Sequence, residues 1–372
     1  MKATFKKGDL LPVLSKVQGL TGRRTNLAIT TNILIKTDKK GLLISATDLE
    51  TGFEGFYPAD IEKEGIIAIN ARKFYEIVKD FPSEDVFLNE VENHWIEIGN
   101  KNVEYHIVGL NPDDFPEIPK IEDVEFFEID SMSLAKMIEC AVIVSGTTDD
   151  KRAHIIGVYA ERIEEKKNKL FRFVSTDGSR LSKVDTVVNK DANLTSGESV
   201  MIPKKGLIEV GKFLDDEGTV KIGFKENNFI VQKDSETLII LLLEGDFPEY
   251  GDIIVKREGN SITFDRQLFL MMLKRMSILS SEDYKGVIFN FEKNQLVITS
   301  TNPDIGESKE DMDIEYSGDP ISVMFNPKFF IETLNVIDDD KLIVNIVDEE
   351  KPCLIEGEKD KTYLSVIMPM RI

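Results

Sequence analysis

The feature that most limits how this chain can fold is an internal threefold repeat with a period of about 120 to 130 residues. A repeat of that length is a whole domain, so the architecture must be three similar units in series. Three motifs carry it. The first is an alternating apolar strand closing on a small residue, Thr, then Asp or Asn: LLISATDL, FRFVSTDG and LVITSTNP, with threonines at Thr47, Thr176 and Thr301. Period-two alternation ended by a Thr-Asp or Thr-Asn turn marks a strand with a defined end. The second is a strand running into a basic amphipathic helix, INARKFYEIV, IPKKGLIEVG and FNPKFFIETL, which makes Asn70, Pro203 and Asn326 equivalent. Asn caps free helix N–H groups, and Pro costs nothing at a helix start. The third is an apolar run closing on proline at Pro116, Pro248 and Pro369, in DFPEIP, DFPEYG and VIMPMR.

Each repeat also opens with a strand and a helical pattern, TFKKGDLLPVLSKV, FEIDSMSLAKMIECAV and ITFDRQLFLMMLKRM. In the second, Met132, Leu134, Ala135, Ile138, Ala141 and Val142 recur every three to four positions, which is one helix face. The predicted helices are 8–24, 72–80, 132–144, 204–213, 266–280 and 327–337. Two helices against about eight short strands per unit predict an α+β fold in which helices cover one side of antiparallel sheet. The expected domains are 1–121, 126–250 and 251–372, joined by short acidic linkers that hold neighbours in a fixed relation.

Charge is unevenly placed. The chain carries 46 Lys and Arg against 67 Asp and Glu, a net charge of −21, which opposes simple electrostatic attraction to nucleic acid or an anionic membrane. The six helical segments nevertheless hold 14 basic and 6 acidic side chains. Arg72, Lys73, Lys204, Lys205 and Lys328 sit in first turns, where cations oppose the helix dipole, so they are not there to stabilise their helices. A locally basic helical face on an acidic body predicts light contact with nucleic-acid phosphates. The bland reading of any single cation, Lys136 for example, is a solvated helix face.

The usual catalytic motifs are missing: no P-loop, dinucleotide fingerprint, HExxH or GxSxG occurs. His94, His106 and His154 are the only histidines, and His94 and His106 lie in alternating stretches that suit structural imidazoles. Asp177 and Ser179 in STDGS lack a base partner, and the acidic runs at 336–341 and 346–351 read as solvated turns rather than cation sites. Cys140 and Cys353 sit in apolar settings with no CxxC, so neither disulfide nor metal is expected, and no cofactor is implied. Without a leader-like h-region or an apolar run of membrane length, the expected location is cytoplasmic with no membrane partner.

Taken together, VIMPMRI, VSTDGSRLS, GDFPEY, ARKFYEI and ILSSEDYKGV, in this order and over nearly the whole chain, resemble the bacterial sliding clamp, the β subunit of DNA polymerase III. The resemblance implies a non-catalytic processivity factor. Three clamp domains per subunit would form a ring-shaped, head-to-tail homodimer lined by helices and threaded by duplex DNA, a nucleoid-associated location. The family's polymerase and clamp-loader subunits insert a short apolar peptide into a cleft. Carried over by position, the cleft would comprise Arg152, Ile155, Thr176, Gly178, Ser179, Arg180, Leu181, Pro248, Ile253, Val366, Ile367, Met368, Pro369 and Met370. Ser179 stands where the family often has His, and Asp252 where a basic residue can occur, so partner preference is expected to differ. The resemblance places Arg24, Lys73, Arg152 and Lys205 towards DNA, and Tyr105 and Ile107 against Ile278 and Leu279 at the subunit interface. The closing residues Met368 to Ile372 are expected to form an uncovered binding surface rather than part of the sheet. The competing readings are a peptide-binding adaptor acting away from DNA and an enzyme with a site between domains.

Overall fold

The computed structural model describes residues 1–21, 28–119, 122–144, 152–165, 168–188, 199–256, 258–280 and 285–371. The first repeat runs β1 Lys2–Lys6, α1 Lys7–Thr21, β2 Asn32–Asp38, β3 Gly41–Thr47, β4 Thr51–Pro58, β5 Asp60–Lys63, β6 Ile66–Asn70, α2 Ala71–Lys79, β7 Asp85–Glu90, β8 Trp95–Gly99 and β9 Glu104–Val108. The second runs β10 Phe126–Asp130, α3 Ser131–Val142, α4 Ala153–Ile156, β11 Gly157–Glu165, β12 Asn168–Thr176, β13 Arg180–Val187, β14 Ser199–Pro203, α5 Lys204–Phe213, β15 Thr219–Lys225, β16 Asn228–Lys233 and β17 Glu236–Leu241. The third runs β18 Asn260–Asp265, α6 Arg266–Met276, β19 Val287–Glu292, β20 Gln295–Asn302, β21 Gly306–Asp313, β22 Ile321–Phe325, α7 Pro327–Val336, β23 Lys341–Ile346, β24 Cys353–Gly357 and β25 Tyr363–Ile367.

Helices start where the repeat motifs place them. Asn70 and Asn326 cap α2 and α7 through side-chain acceptance from Lys73 N and Lys328 N, each at 3.0 Å. The first-turn cations of α2 are answered locally, because Glu76 accepts from Arg72 at 3.0 Å and from Lys73 at 2.9 Å. The short α4 turn is an element that the predicted helices lack.

The described strands form four antiparallel sheets, of which the two eight-stranded ones cross the repeat boundaries. Their orders are β5-β1-β7-β8-β9, β10-β15-β16-β17-β4-β3-β2-β6, β14-β11-β12-β13-β25-β24-β23-β18 and β21-β20-β19-β22. In both eight-stranded sheets the last strand of one repeat bonds to the strand that follows the Thr-Asp turn of its predecessor, as β17 with β4 and β25 with β13. Each half of the central repeat is thus hydrogen-bonded into a neighbour. The compact units are accordingly two, one built mainly from Met1–Met132 and Lys205–Leu242, the other mainly from Ser133–Lys190 and Leu243–Ile372.

Burial follows the period-two pattern. In the first unit, Phe5 of β1 meets Phe74 of α2 edge to face at 5.9 Å, and both are fully buried. In the second, Phe264, Phe269, Phe289, Phe325 and Phe330 stack in one aromatic core, with Phe264 and Phe269 at 4.4 Å.

Candidate functional site

The candidate site lies in the second unit and begins at the turn between β12 and β13. Thr176 Oγ1 donates to Arg180 O at 2.8 Å and accepts from Gly178 N at 3.1 Å. The Asp177 carboxylate accepts from Ser179 N and Arg180 N, both at 3.0 Å. Gly178 sits at φ +87°, with nothing within 4 Å of where a Cβ would stand. The Thr-Asp-Gly sequence therefore builds a turn whose tip is open, and it does so because glycine accepts the left-handed conformation.

Arg180 turns back under this loop. Its guanidinium donates to Asp177 at 2.9 Å, Glu332 at 2.5 Å and the Ile143 carbonyl at 2.8 Å, and its centre lies 4.3 Å from the Phe329 ring centroid. The same corner serves the end of α3, whose Cys140 and Ala141 carbonyls accept from Ser182 Oγ and Ser175 Oγ, each at 2.7 Å. Those carbonyls have no partner inside the helix, so strand side chains satisfy them. Burial, and then the neighbouring charge of Arg180, hold the Lys204 ammonium below its usual value.

Beside the turn, β25 lies against β13 with Leu181 opposite Val366 and Arg180 opposite Ile367. Val174, Leu181, Leu354 and Val366 form a buried cluster, and Tyr159, Phe247, Tyr250, Ile254 and Leu364 pack over it. Tyr159 and Phe247 stack at 4.9 Å. An open cleft of about 510 Å³ follows, lined by Tyr159, Arg172, Phe247, Pro248, Tyr250 and Ile254 among others. Arg172 grips Asp185 through two bonds of 2.6 and 3.0 Å, and Tyr250 bonds Glu161. Burial works against the Arg172 charge, but the bonds to Asp185 and Tyr250 outweigh it and raise the pKa. Burial and then Glu161 push the Tyr250 phenol up.

The comparisons with known proteins agree along the whole length. Residues 1–119, 128–249 and 252–371 match, in order, the N-terminal, central and C-terminal domain models of the DNA polymerase III beta subunit. The chain belongs to the DNA polymerase III beta subunit family. It is 27% identical to the beta sliding clamp of Chlamydia pneumoniae over 372 residues, covering 100% of this chain and 99% of that one. Identity to the Vibrio cholerae beta sliding clamp is 27%, covering 100% of both. The DNA polymerase sliding clamp of Bacillus subtilis superposes with a TM-score of 0.93 at 26% identity, over 100% of this chain and 99% of that one. These relatives carry the clamp reading and lend nothing to an adaptor acting away from DNA.

Within this beta-family fold, the expected cleft residues divide. Thr176, Gly178, Ser179, Arg180, Leu181, Val366, Ile367 and Met368 come together along the β13 and β25 pairing. Ile155, Arg180, Leu181, Val366 and Ile367 are buried. Met368 is 40% exposed, Pro369 and Met370 are half-buried, and Pro248 and Ile253 are exposed. The ending also has the structural ties that the sequence reading denied it. Met368 N bonds Ser179 O at 2.9 Å and Met370 N bonds Met324 O at 2.8 Å. Tyr159, Arg172, Phe247, Tyr250 and Phe329 are not among the expected cleft residues, although the motifs DFPEYG and FRFVSTDG contain Phe247, Tyr250 and Arg172.

Of the cations, Arg24 lies outside the described residues. Arg152 is exposed just before α4. Lys73 pairs with Glu76, and Lys205 pairs with Asp48 at 2.8 Å and Glu50 at 2.7 Å. Burial opposes the Lys205 charge, but the bonds to those carboxylates raise its pKa. The helical positive charge is thus substantially matched by nearby acids. Tyr105 and Ile107 lie on the edge strand β9, with Tyr105 41% exposed, and Ile278 is 73% exposed in the turn Ser277–Leu279, where Leu279 is half-buried. His94 ends a 3-10 turn rather than lying in a strand, and His106 contacts Glu104 at 3.0 Å. Among the described residues no cluster of His, Cys, Asp and Glu suits a metal ion, and no helix is long and apolar enough to cross a membrane.

Proposed function

We propose that this chain is a non-catalytic DNA sliding clamp, with two copies closing head to tail around duplex DNA and holding a polymerase by a short apolar peptide. The observation that carries this is the ordered match of all three repeats to the three domains of the beta subunit family, across residues 1–371. A ring holds DNA by topology, so net charge of −21 and paired helical cations are compatible with sliding. Arg24, Lys73, Arg152 and Lys205 would face the DNA. The peptide would lie over the Gly178 turn, between Pro248 and Ile253 on one side and Met368, Pro369 and Met370 on the other, above the floor of Ile155, Leu181, Val366 and Ile367. Methionine suits this role because a flexible, polarisable side chain repacks around different ligands. The working location is the cytoplasm, on the nucleoid.

The test is retention after enzymatic loading. The protein should stay on closed circular DNA and run off the same DNA once linearised; equal loss from both would refute the ring. In calorimetry, Met368→Glu should weaken binding of a polymerase-derived peptide at least tenfold, and unchanged affinity would refute the cleft assignment.

A further inference from the structure

The third repeat concentrates sulfur where the other two rely on leucine and phenylalanine. Three corresponding isolated bridges tie the strand before the second helix of each repeat to a more distant stretch of chain: Ala68 with Leu110, Met201 with Leu243, and Met324 with Met370. Leucine serves as the far partner in two of them, so the fold asks for an apolar side chain there and not for methionine. The prolines that close the repeats differ in the same way. Phe115 and Glu117 flank the first, Phe247 and Glu249 the second, and Met368 and Met370 the third.

These thioethers are gathered and reachable. A methyl at Gly286 would stand 2.5 Å from Met324 Sδ and 3.6 Å from Met370 Sδ, so both sulfurs crowd one glycine. Met368 is 40% exposed, and Met324 and Met370 are half-buried. Met1, Met137, Met201, Met272 and Met276 are buried by contrast. The two thiols of the chain, Cys140 and Cys353, are buried as well, so an oxidant in solvent meets cleft sulfur before it meets cysteine.

Resting on the peptide cleft proposed above, we propose that Met368 and Met370, with Met324 beside Met370, form a reversible oxidation site that governs the grip on the partner's peptide. Hydrogen peroxide supplies the oxygen. The thioether lone pair attacks one peroxide oxygen, the S–O bond forms as the O–O bond breaks, and the proton of the transferred oxygen passes to the other oxygen, which leaves as water. Sulfur gives up two electrons and the peroxide takes them. Two thiols of a sulfoxide reductase reverse the step: they are oxidised to a disulfide, and the sulfoxide oxygen leaves as water. Oxidation replaces a flexible apolar side chain by a polar, chiral one. Against an apolar peptide the sulfoxide oxygen gives up water and gains no donor, which weakens binding roughly tenfold. The wall itself survives, because the bonds from Met368 N to Ser179 O at 2.9 Å and from Met370 N to Met324 O at 2.8 Å are backbone bonds that involve no sulfur. Reactivity follows exposure, so Met368 is converted first.

The test uses the full chain and a polymerase-derived peptide that lacks methionine. Hydrogen peroxide is added in steps, sulfoxide at each methionine is read by mass spectrometry, and peptide affinity is read by calorimetry. Affinity should fall roughly tenfold as Met368 and Met370 gain oxygen, and should return after treatment with sulfoxide reductases for both epimers and a thiol. Met132 and Met271, 63% and 48% exposed on α3 and α6, oxidise alongside as controls outside the cleft. The triple variant Met324→Leu, Met368→Leu and Met370→Leu should bind the peptide before peroxide and keep its affinity after it. Met368→Leu and Met370→Leu alone should each show a smaller loss than the parent, a comparison that does not depend on the triple variant. An oxidised parent that binds as tightly as the untreated one, or leucine variants that lose as much affinity as the parent, would overturn the oxidation site while leaving the cleft intact. An untreated chain that does not bind the peptide would overturn both.

Discussion

Arg180→Met tests whether the turn of the cleft is held from beneath. Arg180 is 7% exposed and makes three bonds, two of them to carboxylates. Removing one partner of a buried ion pair costs about 3 to 5 kcal/mol when the other charge is stranded. Here the stranding is partial. Asp177 keeps the Ser179 and Arg180 backbone donors, and Glu332 keeps Lys328 at 3.8 Å with 28% of its side chain in solvent. The Ile143 carbonyl loses the Arg180 donor, worth about 1 to 3 kcal/mol if it stays dry. A total near 3 kcal/mol is expected, at the low end of the buried-pair range. For a cooperative unit of about 200 residues this lowers the melting temperature by roughly 6 to 12 °C. Scanning calorimetry should compare variant and parent at equal protein concentration, because self-association shifts apparent stability. Arg180→Lys should recover little, since a compact ammonium cannot span acceptors spread around a planar guanidinium or lie flat on the Phe329 ring. If Arg180→Met melts within about 1 °C of the parent, the guanidinium does not brace the turn and the reasoning fails.

Three further outcomes are expected. Burial, slightly offset by Lys136, pushes the Cys140 thiol from 9.0 up to about 12, and burial alone raises Cys353. The folded chain then keeps protons that the unfolded chain releases, so this stability is complete below pH 9 and is lost as pH climbs towards about 12; urea midpoints should fall from pH 9 upwards, and a flat profile to pH 10.5 would contradict it. Gly178→Ala has room for its methyl but not the backbone angle, so it should cost about 1 kcal/mol by thermal melting; no change would mean the turn relaxes freely. Ser182→Ala leaves the buried Cys140 carbonyl without its donor and should cost about 1 to 3 kcal/mol in denaturant titration, whereas a loss under 0.5 would point to a replacement partner.

What the sequence revealed and what it hid divide by range. Helix starts at Asn70, Pro203 and Asn326 and the Thr-ended strands were legible because caps, turns and period-two burial are set by neighbours in the chain. The sharing of sheets was not, because β17 with β4 and β13 with β25 join residues about 180 apart, and hydrophobic alternation fixes a strand's faces but not its partner. The cations misled for the same reason: Lys136 meets Asp338 at 2.7 Å and Lys205 meets Asp48, far away in sequence. The repeat still carries information about where the site is, through its departures. At the turn equivalent to Gly178, the first repeat has Leu49 at φ 78°, flanked by Asp48 and Glu50 that both clasp Lys205. A leucine tolerates that backbone only at a cost, and the ion pairs close the ground beside it. The second repeat has glycine and an open tip. Two copies of one turn thus differ in the property a ligand needs, free surface over an apolar floor, and that difference is why the proposed cleft stands at Gly178 and not at Leu49.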